Sequence, residues 1–194
     1  MQKYMRKGWF NNKYEHGLAS RGIKTNINKD KANIINPFFI LDKHDIPNII
    51  EFMTDSEYWE DKRKLKSKII WMPVEKYEEA IEYGFRIDNI TSGREQFGYP
   101  IRKRITESHL EKIKDIMKNN KVAMPFISYK MHDNFKTPNM KDIQFNQEGH
   151  HRAVASEELG EPIIPVFVIY PIGDWQEYGK KFMTPYIKGE LGLE

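Results

Sequence analysis

The sequence predicts an α/β (α+β) fold: a mixed β-sheet covered by helices, with a mainly helical extension at the N-terminus. Short apolar runs rich in β-branched residues, such as IIPVFVIYP at 163–171, are typical of buried strands. Segments with apolar residues at helical spacing alternate with these runs, and the alternation predicts strands and helices in one domain. A chain of 194 residues with 39% hydrophobic residues is long enough to bury one substantial core.

The N-terminal extension, residues 1–67, contains two predicted helices. They cover residues 14–25 and 45–59, and the second has Pro47 in its first turn, where proline is tolerated. Apolar residues at helical spacing give this second helix one apolar face, so we expect it to pack onto the body. They are Ile46, Ile49, Ile50 and Met53.

The body, residues 68–171, opens with a predicted strand, KIIWMP at 68–73. A short helix, VEKYEEAIEYG, follows and is predicted to end at Gly84. Residues 84–104 carry glycines and charges and predict a long surface loop, a feature that is often functional in compact domains. The next segment, at 105–120, predicts a helix with three apolar residues on one face. These residues are Leu110, Ile113 and Met117.

The second half of the body predicts two strands, VAMPFISYK and KDIQFN, then a turn and a helix that Gly160 ends. Ala153, Val154 and Leu159 are expected on the inner face of that helix. The strand at 163–171 follows, and residues 172–194 are a tail that we expect to pack on the body.

Composition excludes several classes of protein. No run approaches the roughly 20 apolar residues of a membrane span, so no membrane association is predicted. Cysteine is absent, which excludes disulfides, thiolate zinc sites and cysteine nucleophiles. The lack of cysteine also fits a cytoplasmic location, where thiols stay reduced.

Positive charge is concentrated at the N-terminus. Residues 1–31 carry eight Lys and Arg against two acidic residues, and DKRKLKSK at 61–68 has five cations and one anion. Such clusters favour a polyanion partner such as DNA, although a solvated arm explains them equally well. The candidate DNA contacts are Arg6, Lys7, Arg21, Lys24, Arg102, Lys103 and Arg104.

The segment EGHHR at 148–152 has the composition of a phosphate-binding turn. A helix N-terminus attracts anions, Gly149 permits a close approach to the backbone, and Arg152 offers a bidentate fork. His150 and His151 add donors whose charge changes near neutral pH. Adjacent histidines on a helix point about 100° apart, so no metal site is predicted. A structural alternative remains open, with Gly149 in a tight turn and the histidines as packed polar groups.

The same segment, with its context, resembles the ParB/sulfiredoxin superfamily over residues 68–171. The helix TESHLEKIKDIMKNNK and the strand MPFISY resemble the elements that precede the turn in that family. The residues that carry the resemblance are Gln147, Glu148, Gly149, His150, His151, Arg152, Ala153, Ala155, Leu159, Gly160 and the strand Ile164-Pro165-Val166-Phe167-Val168.

The resemblance implies that Gly149, His150, His151 and Arg152 bind the phosphates of a nucleotide, ATP or CTP. Sulfiredoxins place their cysteine where His150 stands, so that redox chemistry is excluded here. About 23 residues follow the last strand, too few for the helix-turn-helix domain of chromosome-partitioning ParB proteins. Free serine kinases of the superfamily have a turn similar to Gly-His-His-Arg.

Hydrolysis of the nucleotide, or transfer of its phosphate, would need a base near the attacking hydroxyl. Positioning and charge neutralisation supply the other part of the catalysis. Glu148 and Glu75 are the candidates, and Glu75 equally fits a first-turn acid that complements a helix dipole. Mg²⁺ is expected with a nucleoside triphosphate.

Two alternatives to a nucleotide-binding enzyme remain open. One is a DNA-binding protein or ParB-like nuclease that uses the basic N-terminal arm. The other is a non-catalytic interaction protein encoded by a phage, because the N-terminal GWFNNKYEHGLASRGIKT resembles segments of small ParB-like proteins of phages and mobile elements. In that case the location is the host cytoplasm.

Overall fold

A computed structural model describes residues 36–40, 65–92, 101–133 and 141–194. The helices predicted at 14–25 and 45–59 lie outside these residues. In chain order, the elements are β1 (Phe39–Ile40), β2 (Leu65–Pro73), α1 (Val74–Ser92), a 3₁₀ turn (Ile101–Arg104), α2 (Glu107–Asn119), β3 (Val122–Ala123), β4 (Phe126–Asp133), β5 (Lys141–Glu148), α3 (His150–Glu158), β6 (Ile163–Pro171), a 3₁₀ turn (Gly173–Trp175), α4 (Gln176–Lys180) and α5 (Pro185–Leu191).

The main sheet is mixed, with strand order β2-β6-β4-β5. The β2–β6 and β4–β5 pairs are antiparallel, whereas β4 and β6 are parallel. Strand β6 lies inside the sheet, and all its residues after Ile163 are buried, which explains its continuous apolar sequence. The predicted α+β class, a mixed sheet covered by helices, is therefore confirmed.

The strands follow their predicted positions with local differences. Strand β2 begins at Leu65, three residues before the predicted start. The predicted strand VAMPFISYK is divided at Met124 and Pro125 into β3 and β4, because proline cannot donate to a strand ladder. Strand β5 continues beyond Asn146 to Glu148, where the EGHHR segment begins.

Helix α1 does not end at Gly84. It continues to Ser92, so the predicted loop over residues 84–104 is wrong for its first part, and Ile101–Arg104 forms a 3₁₀ turn. Gly84 is buried, and any Cβ at this position would overlap the ring of Phe145 on β5. The glycine therefore permits close packing of the helix on the sheet and does not end the helix.

Helices α2 and α3 pack side by side and run in the same direction. His109, near the start of α2, contacts His151 near the start of α3. Further along both helices, Lys114 forms an ion pair with Glu158, with Nζ 2.8 Å from Oε2. The predicted buried face of α2 is confirmed, since all three of its apolar residues are buried. These residues are Leu110, Ile113 and Met117.

A short segment of the predicted extension belongs to the core. Strand β1 pairs with β3 in parallel, and Phe39 and Ile40 are completely buried. Asn36 is also buried, and its amide nitrogen donates to Ser156 Oγ at 2.7 Å and to the Ile163 carbonyl oxygen at 3.0 Å. Asn36 therefore anchors this segment to the end of α3 and the start of β6.

The residues after β6 form two short helices that also contribute to the core. Thr184 caps α5, accepting a hydrogen bond from the Ile187 amide at 3.3 Å, and Pro185 occupies the first turn. Phe182, Met183 and Ile187 are buried among the core residues. Within the described ranges, no helix has both the length and the apolar character needed to cross a membrane.

Candidate functional site

Gly149 lies between β5 and α3 in a left-handed conformation, with φ of 105°. A Cβ at this position would lie 2.9 Å from Pro125 Cα and 2.9 Å from Arg152 Nη2, so only glycine fits. Its carbonyl oxygen accepts the first backbone hydrogen bond of α3, from the Ala153 amide at 2.9 Å. Because glycine has no side chain, it cannot cap the amides of the first turn as serine or aspartate would. The turn is the glycine-capped helix start that the sequence predicts.

Three histidines meet at the start of α3. The rings of His150 and His151 have centroids 4.1 Å apart, and both side chains are partly exposed. The exposed His109 of α2 contacts His151 edge to face, with centroids 4.5 Å apart and planes at 77°. We call these three residues the histidine cluster. It places several N–H donors beside the positive end of the α3 dipole.

Arg152, which the sequence predicts as a bidentate fork for phosphate, is buried. Its side chain is only 3% exposed, and its Nη2 atom lies over Gly149. The guanidinium therefore supports the turn from within the protein. Its charge still adds to the positive potential at the start of α3, because charges are weakly screened in a buried environment.

Tyr77 of α1 holds the end of β5 from the other side. Its completely buried hydroxyl donates to the Glu148 carbonyl oxygen at 3.1 Å and lies 3.4 Å from Gln147 Oε1. Burial raises the pKa of Tyr77 well above its usual value, the Glu148 carboxylate raises it further, and the Arg152 guanidinium opposes both. The hydroxyl therefore lies in the field of both the candidate base and the arginine.

The two candidate bases have different positions. Glu148 is partly exposed and directly precedes Gly149. Glu75 is exposed in the first turn of α1, two residues before Tyr77. Two residues correspond to about 200° around a helix, so Glu75 lies on the opposite side of α1 from the Tyr77 contact with Glu148. The geometry therefore supports Glu148 at this site and favours the alternative role of Glu75 as a first-turn acid.

The candidate DNA contacts are only partly described. Arg6, Lys7, Arg21 and Lys24 lie outside the described residues, and Lys103 is exposed in the 3₁₀ turn that also contains Arg104.

Arg102, by contrast, is engaged within the protein. Its Nε donates to Glu78 Oε1 at 2.8 Å, and its Nη2 donates to Glu157, so it joins α1 to α3. The hydrogen bond with Glu157 raises the pKa of Arg102. Arg102 thus links the two helices through ion pairs, and its role as a DNA contact stays a prediction.

No group of three or more His, Asp or Glu side chains among the described residues has a geometry that could hold a metal ion. Within the histidine cluster, the His150 and His151 rings are tilted by 41°, and the His109 and His151 rings meet edge to face.

Sequence reasoning missed His109 and Tyr77 as residues of this region. Both belong to predicted helices, but neither has a local motif. Only the packing of α2 on α3, and of α1 on β5, brings them to the EGHHR segment. A signal was present for His109, since it is a histidine in the first turn of a helix predicted to precede the site.

The chain matches no protein-family model, no curated protein and no solved structure. The resemblance to the ParB/sulfiredoxin superfamily therefore stays a prediction.

Proposed function

We propose that the start of α3 binds the phosphate groups of a nucleotide, such as ATP or CTP. The single observation that carries the proposal is the histidine cluster beside a helix start capped by glycine. Histidine side chains donate hydrogen bonds and carry positive charge when protonated, and both properties suit phosphate oxygens.

Backbone geometry supports the same ligand. The amides at the start of a helix point along its axis and carry about half a positive charge. Pro125 and Arg152 Nη2 occupy the space that a Cβ of Gly149 would need, so the glycine permits this close packing, and a phosphate would meet the helix start beside the partly exposed His150 and His151. Arg152 is buried against the turn and adds a permanent positive charge there.

Glu148 is our candidate for the acid–base role in hydrolysis or phosphate transfer. It is the last residue of β5, its side chain is partly exposed, and its peptide carbonyl is held by Tyr77. A carboxylate at this place would accept a proton from an attacking hydroxyl, or would bind Mg²⁺ that accompanies the phosphates. We place the activity in the cytoplasm, where nucleoside triphosphates are available.

A thermal-shift panel with ATP, CTP, GTP and UTP, with and without Mg²⁺, tests the proposal. A ligand at 100 times its Kd stabilises the folded protein by about 2.7 kcal/mol, which is a readily measured shift. His151→Ala should abolish the shift while the unliganded protein keeps its melting temperature, because this side chain is partly exposed. Arg152→Ala is a poorer test, since truncation of a buried side chain would also destabilise the fold.

The matched control is Lys112→Ala, an exposed residue of α2, which should leave the shift unchanged. The proposal fails if no nucleotide raises the melting temperature of the wild-type protein. Under that outcome, DNA binding that weakens steeply with salt would favour the DNA-binding or nuclease alternative. If no nucleotide changes the melting temperature and DNA does not bind, the result would favour a non-catalytic interaction protein.

A further inference from the structure

Strand β2 is an edge strand of the main sheet, because among the described residues it pairs only with β6. In an antiparallel pair, the amide and carbonyl of one residue point toward the partner strand, and those of the next residue point away from it. Val74 directly follows β2, and its amide donates to the Pro162 carbonyl oxygen at 2.9 Å, which continues the ladder with β6. The even-numbered residues of β2 therefore face β6, and the odd-numbered residues face outward.

The outward residues present a row of backbone donors and acceptors along β2. They are Leu65, Ser67, Ile69 and Trp71. Trp71 agrees with this assignment, since its carbonyl oxygen accepts a hydrogen bond from the Tyr186 hydroxyl of α5 at 3.4 Å. A row of this kind is a template for another strand, and proteins cover or charge such edges to prevent association.

Helix α5 lies beside this edge and contacts it at two points. Near its start, Tyr186 donates to the Trp71 carbonyl oxygen. Near its end, the carbonyl oxygen of Glu190 accepts a hydrogen bond from the Lys68 ammonium group. The helix therefore covers the second half of β2.

Two apolar side chains fix α5 to the core. Ile187 is completely buried, and Leu193, directly after the glycine that ends the helix, is 9% exposed. The Leu193 amide donates to the Lys188 carbonyl oxygen at 2.9 Å, which turns the chain back toward the protein. A helix of seven residues is not stable by itself, so the burial of these two anchors decides whether α5 stays on the edge.

Strand β2 is complementary to a second copy of itself. Antiparallel pairing of two copies about Ile69 sets Ser67 of each copy opposite Trp71 of the other, so that outward residues meet outward residues. The exposed Lys66 and Lys68 lie opposite apolar residues in this register, and no lysine meets a lysine. An interface of this kind has the two-fold symmetry that is commonest among protein dimers.

We infer that α5 and the residues after it form a strap, residues 185–193, that closes the outer edge of β2, and that the edge beneath it is a pairing surface for a second copy of this chain. With the strap in place, the protein is a monomer. Release of the strap frees the outward backbone groups, which then pair with those of the second copy. This surface lies at the opposite edge of the sheet from β5 and the start of α3, so the inference does not depend on the proposed function.

Size-exclusion chromatography with light scattering, over a range of concentrations of the full chain, tests the inference. Wild-type protein should be a monomer. Ile187→Asp places a charge at a buried anchor and should release the strap, so that the measured mass approaches that of a dimer as the concentration rises. Trypsin checks the release, since it should cut after Lys188 at least about tenfold faster in this variant once local opening is no longer required.

Ser67→Pro distinguishes strand pairing from association through exposed apolar residues. Proline removes the outward amide of Ser67, which β6 does not use, so the ladder within the sheet is retained. The double variant with Ile187→Asp and Ser67→Pro should therefore return to a monomer. The matched control is Glu190→Ala, which should stay monomeric, because this exposed side chain is on α5 but only its carbonyl oxygen contacts β2.

Circular dichroism verifies the fold of each variant, and Leu193→Asp at the other anchor takes the place of Ile187→Asp if that variant does not fold. A dimeric wild-type protein overturns the inference, as does a variant that trypsin cuts rapidly but that stays monomeric at every concentration. A dimer that persists in the double variant shows that the copies associate through another surface, and the inference is then wrong. An anchor variant that trypsin cuts no faster than wild type shows that α5 is not held as a strap.

Discussion

The substitutions Tyr77→Phe and Tyr129→Phe remove the same hydroxyl from two completely buried side chains, and we expect opposite effects on stability. The Tyr77 hydroxyl donates to the Glu148 carbonyl oxygen, whereas the Tyr129 hydroxyl has no hydrogen-bond partner among the described residues. A buried polar group without a partner costs free energy that a phenylalanine does not.

The magnitudes follow from these contacts. Tyr77→Phe loses a hydrogen bond worth about 1 kcal/mol and leaves a carbonyl oxygen with one partner fewer, for a total loss of about 1 to 2 kcal/mol. Tyr129→Phe removes an unpaired hydroxyl and should stabilise the fold by up to about 2 kcal/mol. For a chain of this length, each kcal/mol shifts the melting temperature by about 2 to 4 °C.

Differential scanning calorimetry and urea unfolding at neutral pH measure both effects. The urea m-value should stay constant, so that a change in midpoint reports stability alone. Burial raises the pKa of both tyrosines, so the unfolded chain ionises above pH 10 while the folded protein keeps its phenol protons. The contribution of these raised pKa values to the free energy of unfolding is complete below pH 10 and is lost as the pH rises above 10. Each Tyr→Phe variant should therefore lose less stability above pH 10 than the wild-type protein does. Equal destabilisation by the two substitutions would refute the reasoning.

Three other substitutions test the packing and the charges. Gly84→Ala gains about 1 kcal/mol of helix propensity, but the added methyl group overlaps the ring of Phe145 at a cost of about 3 kcal/mol. Urea unfolding should therefore show a net loss of stability of about 2 kcal/mol. Asn36→Ala breaks the buried hydrogen bonds to Ser156 and the backbone and should destabilise the protein by about 3 kcal/mol in the same assay. Burial raises the pKa of Glu78 above its usual 4.5, so the folded protein holds this proton more tightly than the unfolded chain does. The free energy of unfolding therefore falls as the pH rises from 4.5 to the pKa of the folded protein. Glu78→Gln should remove that fall in unfolding measurements from pH 4 to 7.

Controls for these substitutions come from the same chain. Gly189→Ala, in the exposed part of α5, adds a methyl group that meets only the flexible Glu194 side chain and should stabilise slightly. Asn119→Ala removes an exposed hydrogen bond to the Asp115 carbonyl and should change stability by less than about 0.5 kcal/mol. A stabilising Gly84→Ala would show that α1 does not pack on Phe145 as described. An Asn36→Ala variant as stable as Asn119→Ala would mean that the N-terminal segment is not anchored at α3.

The regular elements of the body were largely predictable from the sequence, because their signals are local. The buried strand at 163–171 is recognisable from its β-branched residues, and α2 from the spacing of its apolar residues. Gly149 is recognisable because a left-handed residue between a strand and a helix is almost always glycine. Gly84 was misinterpreted, since a helix-ending glycine and a close-packing glycine look identical without knowledge of the neighbouring strand.

The amino-acid sequence alone determined where strands and helices form and that a glycine, two histidines and an arginine begin α3, because these features depend on neighbours along the chain. Tertiary packing decided that Arg152 is buried, that Tyr77 holds the end of β5, and that His109 joins the other histidines. Those contacts depend on the direction in which whole helices pack. Burial and the meeting of distant side chains follow from that direction, and no local pattern of residues encodes it.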